Sequence, residues 1–276
     1  MKRLLMFAAL ALAALTVVGS AAAGAGTPVK ASVVYNSVIP NGPRSNLPSV
    51  GPEAYAFNEF GNAINLAGTA RHLNSVTVTM SSWACVSGAW TTGDCSTPSG
   101  ATFSQPITLN IYNPSTDNGV TAGSLIASST QTFAIPYRPS ASPKCLDGRW
   151  YSPGTKTCFN GLANNITFSS FTGNLNLPNS VVYGIVYNTR DYGPSPLGVT
   201  GPYDSLNIAL STRTDVSAGS STFSSDVWQN SPLASQYCDN GLAGTGTFRL
   251  DSPTSSCWND GFGAYYVPAV QFKASN

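Results

Sequence analysis

The sequence predicts an all-β protein, a two-sheet sandwich of jelly-roll type with three disulfide-braced loops, and three observations carry that prediction. Only 9% of the 276 residues are Asp, Glu, Lys or Arg, against about 25% in an ordinary soluble domain, which excludes a coiled coil or a protein of long charged surface helices. Short segments in which apolar and hydroxyl side chains alternate recur along the chain, the period of a strand with one buried face. Six cysteines bracket loops rich in Gly, Ser, Pro and Asn, as in small stapled connections.

The chain opens with Lys2 and Arg3, an apolar run from Leu4 to Val18, and small residues offering Ala21-x-Ala23 or Ala23-x-Ala25. This pattern makes residues 1–25 a cleaved secretory signal and 26–276 a single β-sandwich domain. The run is shorter than the roughly 20 residues of a membrane span, so the mature form is expected to be extracellular and to have no membrane span. Loss of Lys2 and Arg3 from 13 basic residues against 12 acidic ones leaves a nearly neutral chain. That excludes a phosphate-tracking surface, and no nucleic-acid partner is expected.

Ten strands are predicted in order. The first two are 31–35 and 53–60. In 75–81 the alternation points Val76, Val78 and Met80 inward, and in 106–112 it does the same for Ile107, Leu109 and Ile111. Residues 113–123 contain Pro114 and Asp117-Asn118-Gly119 and read as a turn. Further strands follow at 124–133, 165–168, 181–188, 205–210, 245–250 and 265–273, with the first and last strands near one another. Val181 to Tyr187 is apolar on both parities, which places it at a sheet centre or beneath a covering segment. The long connections 82–105, 136–164 and 229–244 each carry cysteine, and recognition residues belong on such loops.

Neighbouring cysteines are expected to pair: Cys85 with Cys95, Cys145 with Cys158, and Cys238 with Cys257. Each closure stabilises by roughly 3 kcal/mol in the chain-entropy description. A zinc site does not fit, because the spacings are C-x9-C, C-x12-C and C-x18-C and the chain has one histidine.

The stretches LNSVTVTMSS, ITLNIY, AGSLIASS, NITF and VYGIVYN, between Leu73 and Asn188, resemble the β-sandwich core of the bacterial secreted proteins grouped as choice-of-anchor domains. IPYRPSASPKC, GRWY and GTFRLDSP resemble a narrower set of secreted proteins. The resemblance implies a secreted sandwich and supplies no catalytic residues. The chain ends in VPAVQFKASN, without the sorting tail of anchored members.

Catalytic signals are few. His72 beside Arg71 reads as a strand-edge side chain, and no G-x-S-x-G elbow occurs. Glu53 and Glu59, placed on one strand, would stand about 20 Å apart, too far for a glycosidase dyad. Asp147-Gly148, Asp239-Asn240-Gly241 and Asp260-Gly261 read as turns. Calcium, the one plausible metal, would use Asp117 and Asn118 or Asp239 and Asn240, but no D-x-D-x-D-G loop is present, and no cofactor is expected.

The aromatic distribution is the most informative feature. Trp83 and Trp90 flank Cys85, Trp150 and Tyr151 lie between Cys145 and Cys158, and Trp258 follows Cys257. Rings on braced loops present apolar area at little ordering cost, which suits stacking on sugars or gripping a protein. The bland alternative is that they cover the disulfides. The expected role is non-catalytic recognition of a glycan or other cell-surface component, with Trp90, Trp150, Trp258 and Tyr151 as candidate ligand-binding residues. A structural or matrix role without a small ligand is the alternative, and a polysaccharide hydrolase or lyase stands behind both.

Overall fold

Alternation becomes strand wherever one parity finds an apolar partner across the interior. A computed structural model describes residues 30–39, 47–114, 121–189, 205–212, 216–222, 227–251 and 266–276. In chain order the strands are β1 (Ser32–Asn36), β2 (Ser49–Val50), β3 (Glu59–Asn65), β4 (His72–Ser82), β5 (Thr102–Tyr112), β6 (Leu125–Pro136), β7 (Trp150–Ser152), β8 (Thr157–Phe159), β9 (Leu162–Phe168), β10 (Thr172–Gly173), β11 (Ser180–Val186), β12 (Leu206–Thr212), β13 (Ser220–Ser221), β14 (Val227–Asn230), β15 (Arg249–Asp251), β16 (Tyr266–Pro268) and β17 (Val270–Ser275). They form an antiparallel sandwich. One sheet runs β1-β17-β4-β12-β16, with β2 on β12 and β9 on β4; the other runs β10-β6-β5-β11-β3-β14-β15, with β13 on β3.

The first and last strands are neighbours, as expected: Asn36 lies opposite Gln271, and Ser32 opposite Ala274. Val76, Val78 and Met80 of β4, with Phe272 of β17, share one sealed core with Ile107, Leu109 and Ile111 of β5 and Tyr183 of β11. Ring contacts bridge the sheets, Tyr183 to Phe272 at 5.5 Å and Phe133 to Phe168 at 5.0 Å. The two-parity run of β11 is explained from both sides. Val181, Tyr183 and Ile185 face the main core, whereas Val182 packs outward with Ala63, Trp228 and Phe248 in a second apolar cluster.

Three strand expectations are corrected. Residues 53–60 are not one strand: Pro52–Tyr55 forms a helical turn, Ala56 closes it at φ 47°, and β3 starts only at Glu59. Pro52 suits the first helical position, where its missing N–H is not needed, and the turn carries the Glu53 carboxyl inward to the backbone N–H of Leu206. Within 245–250 the left-handed Gly246, φ 73°, delays extension, so only Arg249–Asp251 is strand. Of the segment 265–273, residues 266–273 belong to two strands that meet at Ala269, where pairing passes from β12 to β4: its N–H donates to the Ala209 carbonyl and its carbonyl accepts from the Thr79 N–H, both at 2.9 Å. The predicted turn at 117–119 lies outside the described residues, as do residues 1–25.

Candidate functional site

The two disulfides among the described residues pair neighbours as expected, Cys85 with Cys95 at a Cα separation of 5.5 Å and Cys145 with Cys158 at 5.8 Å. Cys238 is also disulfide-bonded, and Cys257 lies outside the described residues. Local pairing leaves open where the loops stand relative to one another. The fold brings the first two together at the same end of the sandwich. β4 ends at Ser82 and delivers the Cys85 loop; β6 ends at Pro136 and delivers the Cys145 loop.

Backbone contacts join the loops into one head. Arg138 donates its N–H to Ala84 at 3.0 Å, and Ala141 donates to the Cys95 carbonyl at 2.9 Å. Ser140 Oγ accepts from the Thr97 N–H at 2.8 Å and donates to the Thr97 carbonyl at 3.1 Å. Gly148, at φ 68°, rests directly on Gly93, whose backbone occupies the space a side chain at 148 would need. The 136–164 connection is not simply a loop: β7 and β8 form a hairpin that fixes Trp150 opposite Phe159.

The tryptophans divide by burial. Trp150 is 6% exposed, donates Nε1–H to the Gly161 carbonyl at 3.0 Å and packs on Phe159 at 5.3 Å, so its ring belongs to the interior of the head. Trp83 and Trp90 are half-buried and meet edge to face at 4.6 Å, with Trp90 resting on Cys85, Ala89 and Cys95. Tyr151 is half-buried with the Lys144 ammonium 4.9 Å from its ring centroid. Trp228 is 1% exposed and lies on the eight-stranded sheet, and Trp258 lies outside the described residues.

Composition gave no reason to single out Arg138, yet it sits at the centre of the head with no exposed surface. Its Nε–H donates to the Pro139 carbonyl at 3.3 Å and Nη2 to Gly148, while Nη1 is buried without a partner. Burial pushes the guanidinium down to about 10. The one sequence signal was an arginine standing alone in the hydroxyl- and proline-rich stretch IPYRPSASP.

The titratable candidates do not converge on this head. His72 is exposed, its Nδ1 3.2 Å from Asn176 Oδ1 at the start of β4. Glu53 and Glu59 do not share the strand expected from the sequence: Glu53 lies in the helical turn and Glu59 opens β3. Burial raises Glu53 to about 7, against hydrogen bonds from Thr189 and the Leu206 N–H that favour its charged form. Burial also raises Glu59, opposed by Tyr112 and Asn110. Asp239 serves its turn and an ion pair: Oδ1 accepts from the Gly241 N–H at 2.8 Å and from Arg249 Nη2 at 2.9 Å, and Oδ2 from the Ala243 N–H at 3.3 Å. Asp117 and Asn118 lie outside the described residues.

Among the described residues no group of three or more His, Cys, Asp or Glu side chains is placed to hold a metal ion, and no helix is long and apolar enough to cross a membrane. The disulfides are compatible with an oxidising, extracellular setting. Compared with family models, with curated proteins and with solved structures, the chain matches none.

Proposed function

We propose that this chain is a secreted, non-catalytic recognition protein whose disulfide-braced head engages a glycan or another component of a cell surface. The observation that supports this most is the head itself: two stapled loops joined into one body, with Trp83, Trp90 and Tyr151 left half-buried on it. Rings held this way lose little conformational freedom on binding. Lys144 beside Tyr151 adds a donor that hydroxyl or carboxylate groups accept from.

A glycan array probed with the mature protein tests the reading, with an activity screen on polysaccharides and esters run on the same preparation. Binding without product is expected, weakened about tenfold by Trp90→Ala, a loss typical of removing a central aromatic contact. Binding unchanged by both Trp90→Ala and Tyr151→Ala would remove the head from the account, and product formation would overturn the non-enzyme reading. The second reading is a matrix role. It draws on exposed hydroxyl pairs on both sheets, Thr77 with Thr167 at 2.9 Å and Thr108 with Thr130 at 2.7 Å. Concentration-dependent self-association with no array signal would favour it.

A further inference from the structure

Near-neutral overall charge hides a local separation. Across 83–105 and 136–161, the segments that build the head, Arg138, Lys144, Arg149 and Lys156 stand against only Asp94 and Asp147. The rest of residues 26–276 holds seven cations and ten carboxylates. The surplus of positive charge therefore belongs to the head.

The β7–β8 hairpin concentrates that surplus. Trp150 and Phe159 are opposed and buried, so the other face, on which Tyr151 lies opposite Cys158, is the one turned to solvent. The Lys144 ammonium stands 4.9 Å from the Tyr151 ring centroid, next to the Cys145–Cys158 disulfide. Arg149 and Lys156 are each two residues from the Tyr151–Cys158 pair, about 7 Å of extended chain. The three attachment points thus lie within roughly a Debye length of that pair at 0.1 M salt, about 10 Å, and their charges act as one field.

Little on the head neutralises this field. Lys144 and Lys156 are exposed and enter no ion pair among the described residues. Arg149 meets Asp147 only at 3.9 Å, with the Asp147 side chain 87% exposed, a surface pair worth little and easily exchanged. Asp94 is turned to its own loop, where it accepts from the Ala89 N–H at 3.0 Å and from Thr92 Oγ–H. Inside the head, the sealed Arg138 guanidinium donates to carbonyls and meets no carboxylate among the described residues.

We propose that the ligand of the head is an acidic glycan, whose uronate carboxylates are received by Lys144, Arg149 and Lys156 around Tyr151. The inference rests on the recognition reading above and narrows it to one chemical class. Ammonium and guanidinium groups donate and never accept, so this rim suits carboxylate oxygens better than neutral sugar hydroxyls, which need both roles. Arg149 spends Nε–H on the Leu146 carbonyl at 3.2 Å and keeps its Nη groups for a carboxylate that displaces Asp147. Leu146, 76% exposed on the same braced loop, and the Tyr151 ring supply apolar area for the C–H faces of the sugars. That apolar component selects a sugar chain over a simple polyanion.

Titration calorimetry on the mature protein tests this with octasaccharides of polygalacturonate, alginate and hyaluronan, their neutral methyl esters, and a DNA duplex. At least one uronate chain is expected to bind at least tenfold tighter than its ester and than the duplex, and to weaken at least tenfold between about 0.05 and 0.5 M salt. Joint replacement Lys144→Gln and Lys156→Gln, both at exposed positions, should cost about tenfold while circular dichroism stays unchanged. Acid and ester bound equally, and both lost in Tyr151→Ala, would overturn the charge assignment and keep the head as the site. A duplex bound as tightly as the uronates overturns the sugar assignment. Absence of uronate binding overturns the proposal, as does uronate binding unmoved by the double variant; in both cases the glycan array with Trp90→Ala decides the head reading separately.

Discussion

Replacing Arg249 by alanine is expected to destabilise the protein by about 3–5 kcal/mol, the cost of breaking a buried ion pair from one side. The guanidinium is 1% exposed and all its nitrogens are engaged: Nε to the Gly244 carbonyl at 2.7 Å, Nη1 to Leu250 at 2.8 Å and Nη2 to Asp239 at 2.9 Å. It also lies 4.0 Å from the Tyr237 ring centroid. Alanine would take away the cationic partner of Asp239, leaving its carboxylate on the Gly241 and Ala243 N–H groups alone, and would remove the side-chain donor of two carbonyls at once. The cost should fall first on 231–251, a segment that has little apolar core of its own and whose buried Asp251 receives the Cys238 N–H at 3.0 Å and Gln229 Nε2 at 2.7 Å. Arg249→Lys keeps the charge but loses the fork, and about half the effect is expected. Urea unfolding at neutral pH measures both; a loss below about 1 kcal/mol for Arg249→Ala would contradict this account of the segment.

Glu53 is expected to make the protein less stable as pH rises from about 4.5 to 7. Its carboxyl is raised from 4.5 to about 7 by burial, so the folded state holds a proton that the unfolded chain releases in that window. The favourable contribution is complete below pH 4.5 and gone above about 7, a change on the order of 3 kcal/mol. The geometry explains the preference for the neutral form. Oε2 is buried without a partner and shares the space beside Gly51 with Asn207 Oδ1, another acceptor, so a negative charge there faces no donor. Glu53→Gln cannot ionise. Its unfolding free energy should exceed that of the unmodified protein at pH 8 by about 2–3 kcal/mol and match it at pH 4. Glu59 shifts in the same direction, so the comparison is between the two pH curves, not of either alone. Parallel curves would refute the assignment.

The framework was legible because it rests on local signals. Strict alternation in β4 and β5 identified the inward residues, and every one of Val76, Val78, Met80, Ile107, Leu109 and Ile111 is sealed. Short cysteine spacing was enough for the two disulfides among the described residues. What the sequence could not carry was placement across long separations. Nothing near Gly93 announces that it packs on Gly148, and Glu59, Asn110 and Ser128 meet only because β11 lies between β3 and β5. Glu53 was misplaced for a related reason: its neighbours are apolar and aromatic, like a strand, but its carboxyl is held by Thr189 and Leu206, more than a hundred residues away. Trp150 shows the limit of position along the chain. It sits on a braced loop, as expected for a binding platform, yet the β7–β8 hairpin turns its ring inward.

The claim that recognition resides in a braced head on an independently packed sandwich is tested most directly by mild reduction. The oxidised and the reduced, alkylated protein are applied to the same glycan array while circular dichroism follows the sheets. The main core contains neither Cys85, Cys95, Cys145 nor Cys158, so the β signal should persist while binding falls at least tenfold, as the loops regain the freedom that the disulfides removed. Binding that survives reduction with the sheets intact would contradict the account.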